Sequence, residues 1–311
     1  MSEKMATREA FGKALVEYAN DYDFVVMDAD LAEATKTGIF KKAYPERFID
    51  TGIAEGNMIS TAAGIATCGI TVFAASFAMF SSGRAYEQVR NSVCYPKLNV
   101  KVVGTHGGIS VGEDGATHQC IEDLSLMRTI PGMVVINPCD AIEARQAVKA
   151  VLEYNGPVYL RFCRLATEKI HSEDFKFELG KGVELKEGSD VTIVATGIVV
   201  EFALKAAEIL KGKGISARVI DIHTIKPIDR DIIVKAANET GAIVTVEEHN
   251  IYGGLGSAVA EVVCEENPVP VLRVGVQDKF GTSGKPAELF ELYNITPEYI
   301  ADKAIEAISK K

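Results

Sequence analysis

The chain has 311 residues, 47% of them apolar and 24% charged, with a formal charge of −10. That length and apolar content suit two globular domains and exclude a disordered chain. With no lysine or arginine run there is no footprint for counterion-driven nucleic-acid binding. No stretch approaches the roughly 18 apolar residues of a membrane span, so neither nucleic acid nor membrane is an expected partner. The N-terminus MSEKMATREAFGKAL is charged, without an apolar signal region, and a cytoplasmic location is expected.

In chain order, REAFGKALVEYAND has helical spacing and FVVMDAD reads as a buried strand ending in acids. NMISTAAGIATCG is a small-residue helix, ITVFAAS a strand and RAYEQVRNSVCY a further helix. NVKVVGTH, GMVVINP and VYLRFC complete the first set of strands. β-Branched runs separated by helices of ten or more residues predict a mainly parallel sheet covered on both faces. From 168 to 187 the pattern loosens into a charged, glycine-containing linker. It separates a first domain, 1–167, from a second, 188–311. In the second domain VTIVATG, ARVIDIHTIKP and AIVTVEEH are strands, while VEFALKAAEILKGKG and LGSAVAEVVCEE are helices. The fold class is therefore α/β, with two domains, each a mainly parallel sheet flanked by helices.

Several residues stand out chemically, each with a plainer reading beside the functional one. Glu55, in GIAEGNM, falls between a strand end and a helix start, where a carboxylate also favours the helix dipole. His106, Asp114 and His118 share a glycine-rich stretch ending in GEDGATHQ, suited to acid–base work on a polar substrate. A solvated loop or a metal site are the rivals, and the spacing matches no common ligand motif. Phe73, Phe77, Phe80 and Tyr86 form an aromatic set that ordinarily means core. GGLGSAVA at 253–260 lacks the final glycine of a dinucleotide fingerprint and reads as a tight strand-to-helix turn. The six cysteines, Cys68, Cys94, Cys120, Cys139, Cys163 and Cys264, have no CxxC pair, and their spacing supports neither a zinc site nor a disulfide framework. No metal ligand is assigned within the chain.

Taken together, GIAEGNM, SFAMF, GEDGATHQ, IDIHTIKPID and EEHNIYGGLGSAVAE resemble the C-terminal half of transketolase and its relatives, nearly end to end. The resemblance implies a pyrimidine-binding domain followed by a transketolase C-terminal-like domain, with thiamine diphosphate as cofactor. It implies that Glu55 hydrogen-bonds N1′ of the cofactor's aminopyrimidine, promoting the imino tautomer. Phe77 and Phe80 would pack on that ring. Gly83 stands where large transketolases carry a third aromatic, and Tyr86 is the nearest substitute. His106, Asp114 and His118 match residues that contact the sugar, and Arg8 and Arg164 match arginines that grip its phosphate. The matching phosphate-site serine is not evident in LAEATKT; Ala34 lies near its position, leaving Thr35 or a partner residue to replace it. His223 and His249 read as structural.

The family holds the diphosphate and Mg²⁺ with a GDG motif followed by asparagine. This chain has no GDG, and its Met1 start runs directly into the pyrimidine-binding domain. The resemblance thus implies a partner, an N-terminal transketolase subunit carrying GDG and Mg²⁺, in an α2β2 heterotetramer. The expected reaction is ketol transfer between sugar phosphates. RAYEQV is closer to deoxyxylulose-phosphate synthases and keeps a pyruvate-using condensation open. The β subunit of a 2-oxo-acid dehydrogenase and a non-catalytic assembly subunit are the remaining readings.

Overall fold

The computed structural model describes residues 4–311. Its strands are β1 (Met5–Ala6), β2 (Phe24–Asp28), β3 (Phe48–Asp50), β4 (Thr71–Phe77), β5 (Val100–Thr105), β6 (Val134–Ile136) and β7 (Val158–Arg161). There follow β8 (Ala166–Thr167), β9 (Val183–Lys186), β10 (Val191–Ala195), β11 (Ala217–Asp221), β12 (Thr224–Lys226), β13 (Ile243–Asn250) and β14 (Val271–Val276). The main sheet runs β12-β6-β7-β5-β4-β2-β3, parallel except for β12. A second sheet runs β14-β13-β10-β11-β9, with β9 antiparallel, and β1 pairs with β8.

The apolar runs dictate the layering. Phe24, Val26, Phe73, Val103 and Leu160 face the helices Thr7–Tyr18 and Ala141–Glu153, which bring Phe11, Leu15, Ala147 and Val151 to one face of the main sheet. On the other face the helix Glu55–Ala66 and the helical stretch 86–94 bury Met58, Ile59, Ala62, Val89 and Val93 against Met27, Val72 and Val102. Each such fully buried large side chain contributes about 1.5–3 kcal/mol.

Two features depart from the sequence reading. ARVIDIHTIKP is not one strand: it breaks after Asp221, and β12 crosses to pair antiparallel with β6. There Lys226 donates to the carbonyls of Arg128 and Ile130, ending their helix and loop with satisfied acceptors. The other is β9, which lies inside the stretch read as linker and forms the edge of the second sheet. Its intermediate burial on every residue hides the alternation by which a strand is recognised. Among the described residues no helix is long and apolar enough to cross a membrane.

Candidate active site

The candidate site lies at the C-terminal ends of the parallel strands, the usual location for ligands in open α/β sheets. Parallel pairing sets Phe77, the last residue of β4, beside Thr105, the last of β5. The chain leaves β5 through His106 at φ 58°. This turns its imidazole onto Phe77, with ring centroids 3.9 Å apart. Phe80 follows, nearly parallel to Phe77 at 6.0 Å and 14°, and His118 meets Phe80 edge-on at 5.3 Å. The aromatic set therefore divides. Phe73 is core, packed on Phe11 and Phe24, while Phe77 and Phe80 form a wall.

Glu55 is the first residue of its helix and is 1% exposed. Its partner, Arg84, was not anticipated from sequence. The guanidinium donates from Nη1 to both carboxylate oxygens, at 3.0 and 2.9 Å, and lies over the Phe80 ring at 4.5 Å. Arg84 ends a π-helical turn over Met79–Arg84, in which the Ala85 N–H returns to the Phe80 carbonyl, and its position four residues after Phe80 puts it on the same helix face as the wall. At Gly83 a Cβ would lie 2.6 Å from the Met79 methyl, so this helix face has little room. Tyr86 does not replace the third aromatic. Its hydroxyl lies 3.3 Å from that of Thr129, on the helix Asp123–Thr129.

Arg8 joins the site from the first helix, donating to His106 Nε2 at 2.8 Å and to the Ala34 carbonyl at 2.8 Å. With Nε2 accepting, the network assigns the His106 proton to Nδ1, which donates to the Thr105 hydroxyl at 2.9 Å. Burial, then the charges of Arg8 and Arg164, pushes His106 down to about 3. His106 is thus a neutral imidazole with a fixed tautomer. Burial likewise lowers Arg8, with Arg164 the next cause. Arg164 donates to the Val111 carbonyl at 2.6 Å. Lys36, held at φ 72°, adds a third positive charge acting on His106 and was missed in the sequence.

Thr35 does not supply the missing hydroxyl. It is buried and donates to Asp28 Oδ2 at 2.7 Å, beside Thr37 at 2.8 Å. Burial raises Asp28 to about 6 despite these bonds. Asp114 is exposed at the end of the turn Ile109–Asp114. Among the described residues no hydrogen bond or ion pair ties its side chain to the rest of the site.

The loop carrying these residues is anchored from the second domain. Glu248, at the end of β13, accepts the Ser110 N–H, and burial raises it to about 7. Gly108, at φ 83°, passes so close that a Cβ would lie 2.4 Å from the Glu248 carboxyl carbon. Beneath, Arg161 donates to Asp123 at 2.9 Å and to the Glu248 carbonyl at 3.0 Å. His249 and His223 are buried and bonded to Asn250 O and Thr224 Oγ1, in structural positions. The helix after GGLG already has its anion: Glu247 accepts the N–H groups of Leu255 and Gly256, each at 2.8 Å, so a phosphate is excluded there.

A buried carboxylate beside two stacked aromatic faces suits a flat, nitrogen-bearing heteroaromatic ring. Arg84 displays the fit, since its planar guanidinium already makes both contacts, a face on Phe80 and N–H bonds to Glu55. Arg8, Lys36 and Arg164 supply positive charge beside His106 for an anionic substrate.

The transketolase pyrimidine binding domain model matches residues 3–169, and the transketolase C-terminal domain model matches residues 180–300. The chain is 51% identical to a putative transketolase C-terminal section of Methanocaldococcus jannaschii, over 98% of this chain and 96% of that one. It is 46% identical to a 6-deoxy-6-sulfo-D-fructose transketolase subunit of Clostridium sp. strain MSTE9, over 98% and 95%. Human transketolase matches at 38% along the whole chain but over only 50% of its own length. A split-gene transketolase solved as an inactive β4 tetramer superposes with a TM-score of 0.92 at 50% identity, covering 99% of this chain and 100% of that one. With both domains matched in order and the site residues gathered at one sheet edge, the chain belongs to the transketolase family.

Proposed function

We propose that this chain is the pyrimidine-binding and C-terminal subunit of a split transketolase, moving a two-carbon ketol unit from a ketose phosphate to an aldose phosphate. The observation that carries the reading is the Glu55 carboxylate, buried at a helix start against the Phe77–Phe80 wall. Thiamine diphosphate, when bound, supplies the electron sink for breaking and re-forming a carbon–carbon bond. Glu55 holds the aminopyrimidine by a hydrogen bond at N1′, and the aromatic wall fixes the plane of that ring. Arg84 must give up its two bonds to Glu55 for this to occur. Neutral His106, held by Arg8 at Nε2 and by Thr105 at Nδ1, exchanges its Arg8 bond for one to the sugar as Arg8 turns to the phosphate, and His118 lines the opening beside Phe80. Asp114 reads a sugar hydroxyl from the exposed rim. Arg8, Arg164 and Lys36 hold the phosphate, which permanent charges do without a proton change.

The absence of a GDG motif supports a second chain that holds the diphosphate and Mg²⁺. Similarity to transketolase sections and subunits of matching length supports the same division. The active assembly in this reading is an α2β2 heterotetramer in the cytoplasm. The test is reconstitution with a GDG-bearing partner, Mg²⁺ and thiamine diphosphate. Transfer from a ketose phosphate to an aldose phosphate is expected. Turnover with pyruvate as the donor, and none with a ketose phosphate, would overturn the reaction class.

A further inference from the structure

Away from that site, four side chains meet where the two domains and the segment joining them come together. Cys139 lies in the loop after β6, and Glu143 is in the first turn of the helix Ala141–Glu153. His171 comes from the connecting segment and Asp221 ends β11 of the second sheet. Cys139, Glu143 and Asp221 are fully buried and His171 is 6% exposed. One donor atom from each lies within 4.8 Å of all the others. β6 is three strands from β4 in the main sheet, about 14 Å at the usual strand spacing, so the cluster is separate from the aromatic wall.

The internal hydrogen bonding of this cluster is incomplete. His171 Nε2 stands 3.3 Å from Asp221 Oδ2 and 3.4 Å from Glu143 Oε1, and one N–H cannot serve both carboxylates well. Glu143 Oε1 and Asp221 Oδ1 are buried without a hydrogen-bond partner. Among the described residues neither acid pairs with a lysine or arginine. Two buried acids that share a single imidazole leave carboxyl oxygens unsatisfied, and a buried unsatisfied acceptor is costly.

The surroundings hold the four side chains in place. The backbone N–H of Cys139 fixes Glu143 Oε2 at 2.7 Å. Asp140 caps the helix through the Glu143 N–H at 2.8 Å and accepts the backbone N–H groups of Ile170 and His171 at 2.7 and 2.8 Å. Phe175 stacks on the His171 ring at 3.9 Å. Such outer contacts orient ligands in metal sites.

We propose that Cys139, Glu143, His171 and Asp221 form a closed site for a divalent transition-metal ion, with zinc the best match, clasping the two domains. One thiolate, one imidazole nitrogen and two carboxylate oxygens make a four-coordinate donor set of the types zinc takes, at about 2.0–2.3 Å from the ion. Tetrahedral geometry at those lengths separates donors by about 3.3–3.8 Å, so the pairs now up to 4.8 Å apart contract by at most about 1.5 Å on loading. The ion fills the unpaired valences of Glu143 and Asp221; on binding, Cys139 releases its thiol proton to solvent and the proton on His171 Nε2 leaves that nitrogen, so that thiolate and imidazole lone pairs face the ion. With all four positions filled from the chain, the role is structural. The signal is invisible in spacing because the donors come from three parts of the chain.

The test uses the full-length chain. Elemental analysis after purification in metal-free buffer is expected to give one zinc per chain. Exchange with Co²⁺ is expected to give tetrahedral d–d bands together with a thiolate-to-cobalt charge-transfer band. Cys139→Ser is expected to remove the thiolate band, and Asp221→Asn to weaken Co²⁺ binding at least tenfold, since losing even an outer partner of a ligand costs about 10–100-fold. A wild-type chain that neither retains zinc nor shows the thiolate band on Co²⁺ titration overturns the proposal, whether or not the variants fold. So does a thiolate band that survives in Cys139→Ser, which would place the ion on another cysteine.

Discussion

The pairing of Arg84 with Glu55 makes a prediction whose sign is not obvious. Both oxygens of the carboxylate that the cofactor must engage are occupied by one guanidinium. Charge-assisted bonds contribute about 1.5–3 kcal/mol. Arg84 is 52% exposed while Glu55 is 1% exposed, so screening brings the competition down to about 1–2 kcal/mol. Removing the competitor leaves Glu55 buried and unpaired in the unloaded chain and free to take the aminopyrimidine. At about 1.4 kcal/mol per tenfold, Arg84→Ala should tighten thiamine diphosphate binding about 5–30-fold in the assembled complex. Calorimetric titration at fixed Mg²⁺ reads this directly, with Arg84→Lys as the variant that keeps the charge. Binding to Arg84→Ala that is unchanged or weaker would refute the reasoning and would mean that Arg84 supports the loaded pocket.

Other consequences follow from single contacts. Gly108→Ala should cost about 2 kcal/mol or more, through strain at φ 83° and a Cβ 2.4 Å from Glu248, and thermal unfolding measures it. Arg161→Met removes the charge partner of the fully buried Asp123 carboxylate and leaves it the Tyr159 hydroxyl, and should cost about 3 kcal/mol, read from denaturant midpoints. For His106 the folded value lies below the unfolded one. Its contribution to stability is therefore complete above about 6.5 and is lost as the pH falls towards about 3. Stability measured across that window should fall more steeply for the native chain than for His106→Gln. The NMR signals of the His106 ring should stay those of a neutral imidazole down to about pH 4.

How much of this was legible in the sequence depends on distance along the chain. The β2, β4, β5 and β7 runs are mostly apolar, as strands buried on both faces are, and they were readable as such despite Asp28, Lys101 and Arg161 within them. Glu55 was visible as a carboxylate at a strand-to-helix junction, although its role needed the family resemblance. Phe77 and Phe80 could not be told from core residues such as Phe73 by spacing, because all three are apolar at similar intervals. Only the end of β4 separates wall from interior. Arg84 was missed because its partner Glu55 lies 29 residues away in sequence, although its place four residues after Phe80 is an ordinary helical neighbour spacing. Lys36 was missed because a single left-handed lysine leaves no pattern. β12 was read as a continuation of β11, since short β-branched runs do not say which sheet they join. The Cys139 cluster needed contacts between residues up to about 80 positions apart, and spacing carries no signal over that range.

The most direct test of the account compares three preparations under the same Mg²⁺, thiamine diphosphate and sugar phosphates: this chain alone, the chain with a GDG-bearing partner, and the same complex with Glu55→Gln. No turnover is expected from the chain alone, and ketol transfer is expected from the complex. A loss of at least about 100-fold is expected with Glu55→Gln, on the scale of a lost proton-transfer partner. Full turnover by the chain alone, or a Glu55→Gln complex as fast as the native one, would contradict it.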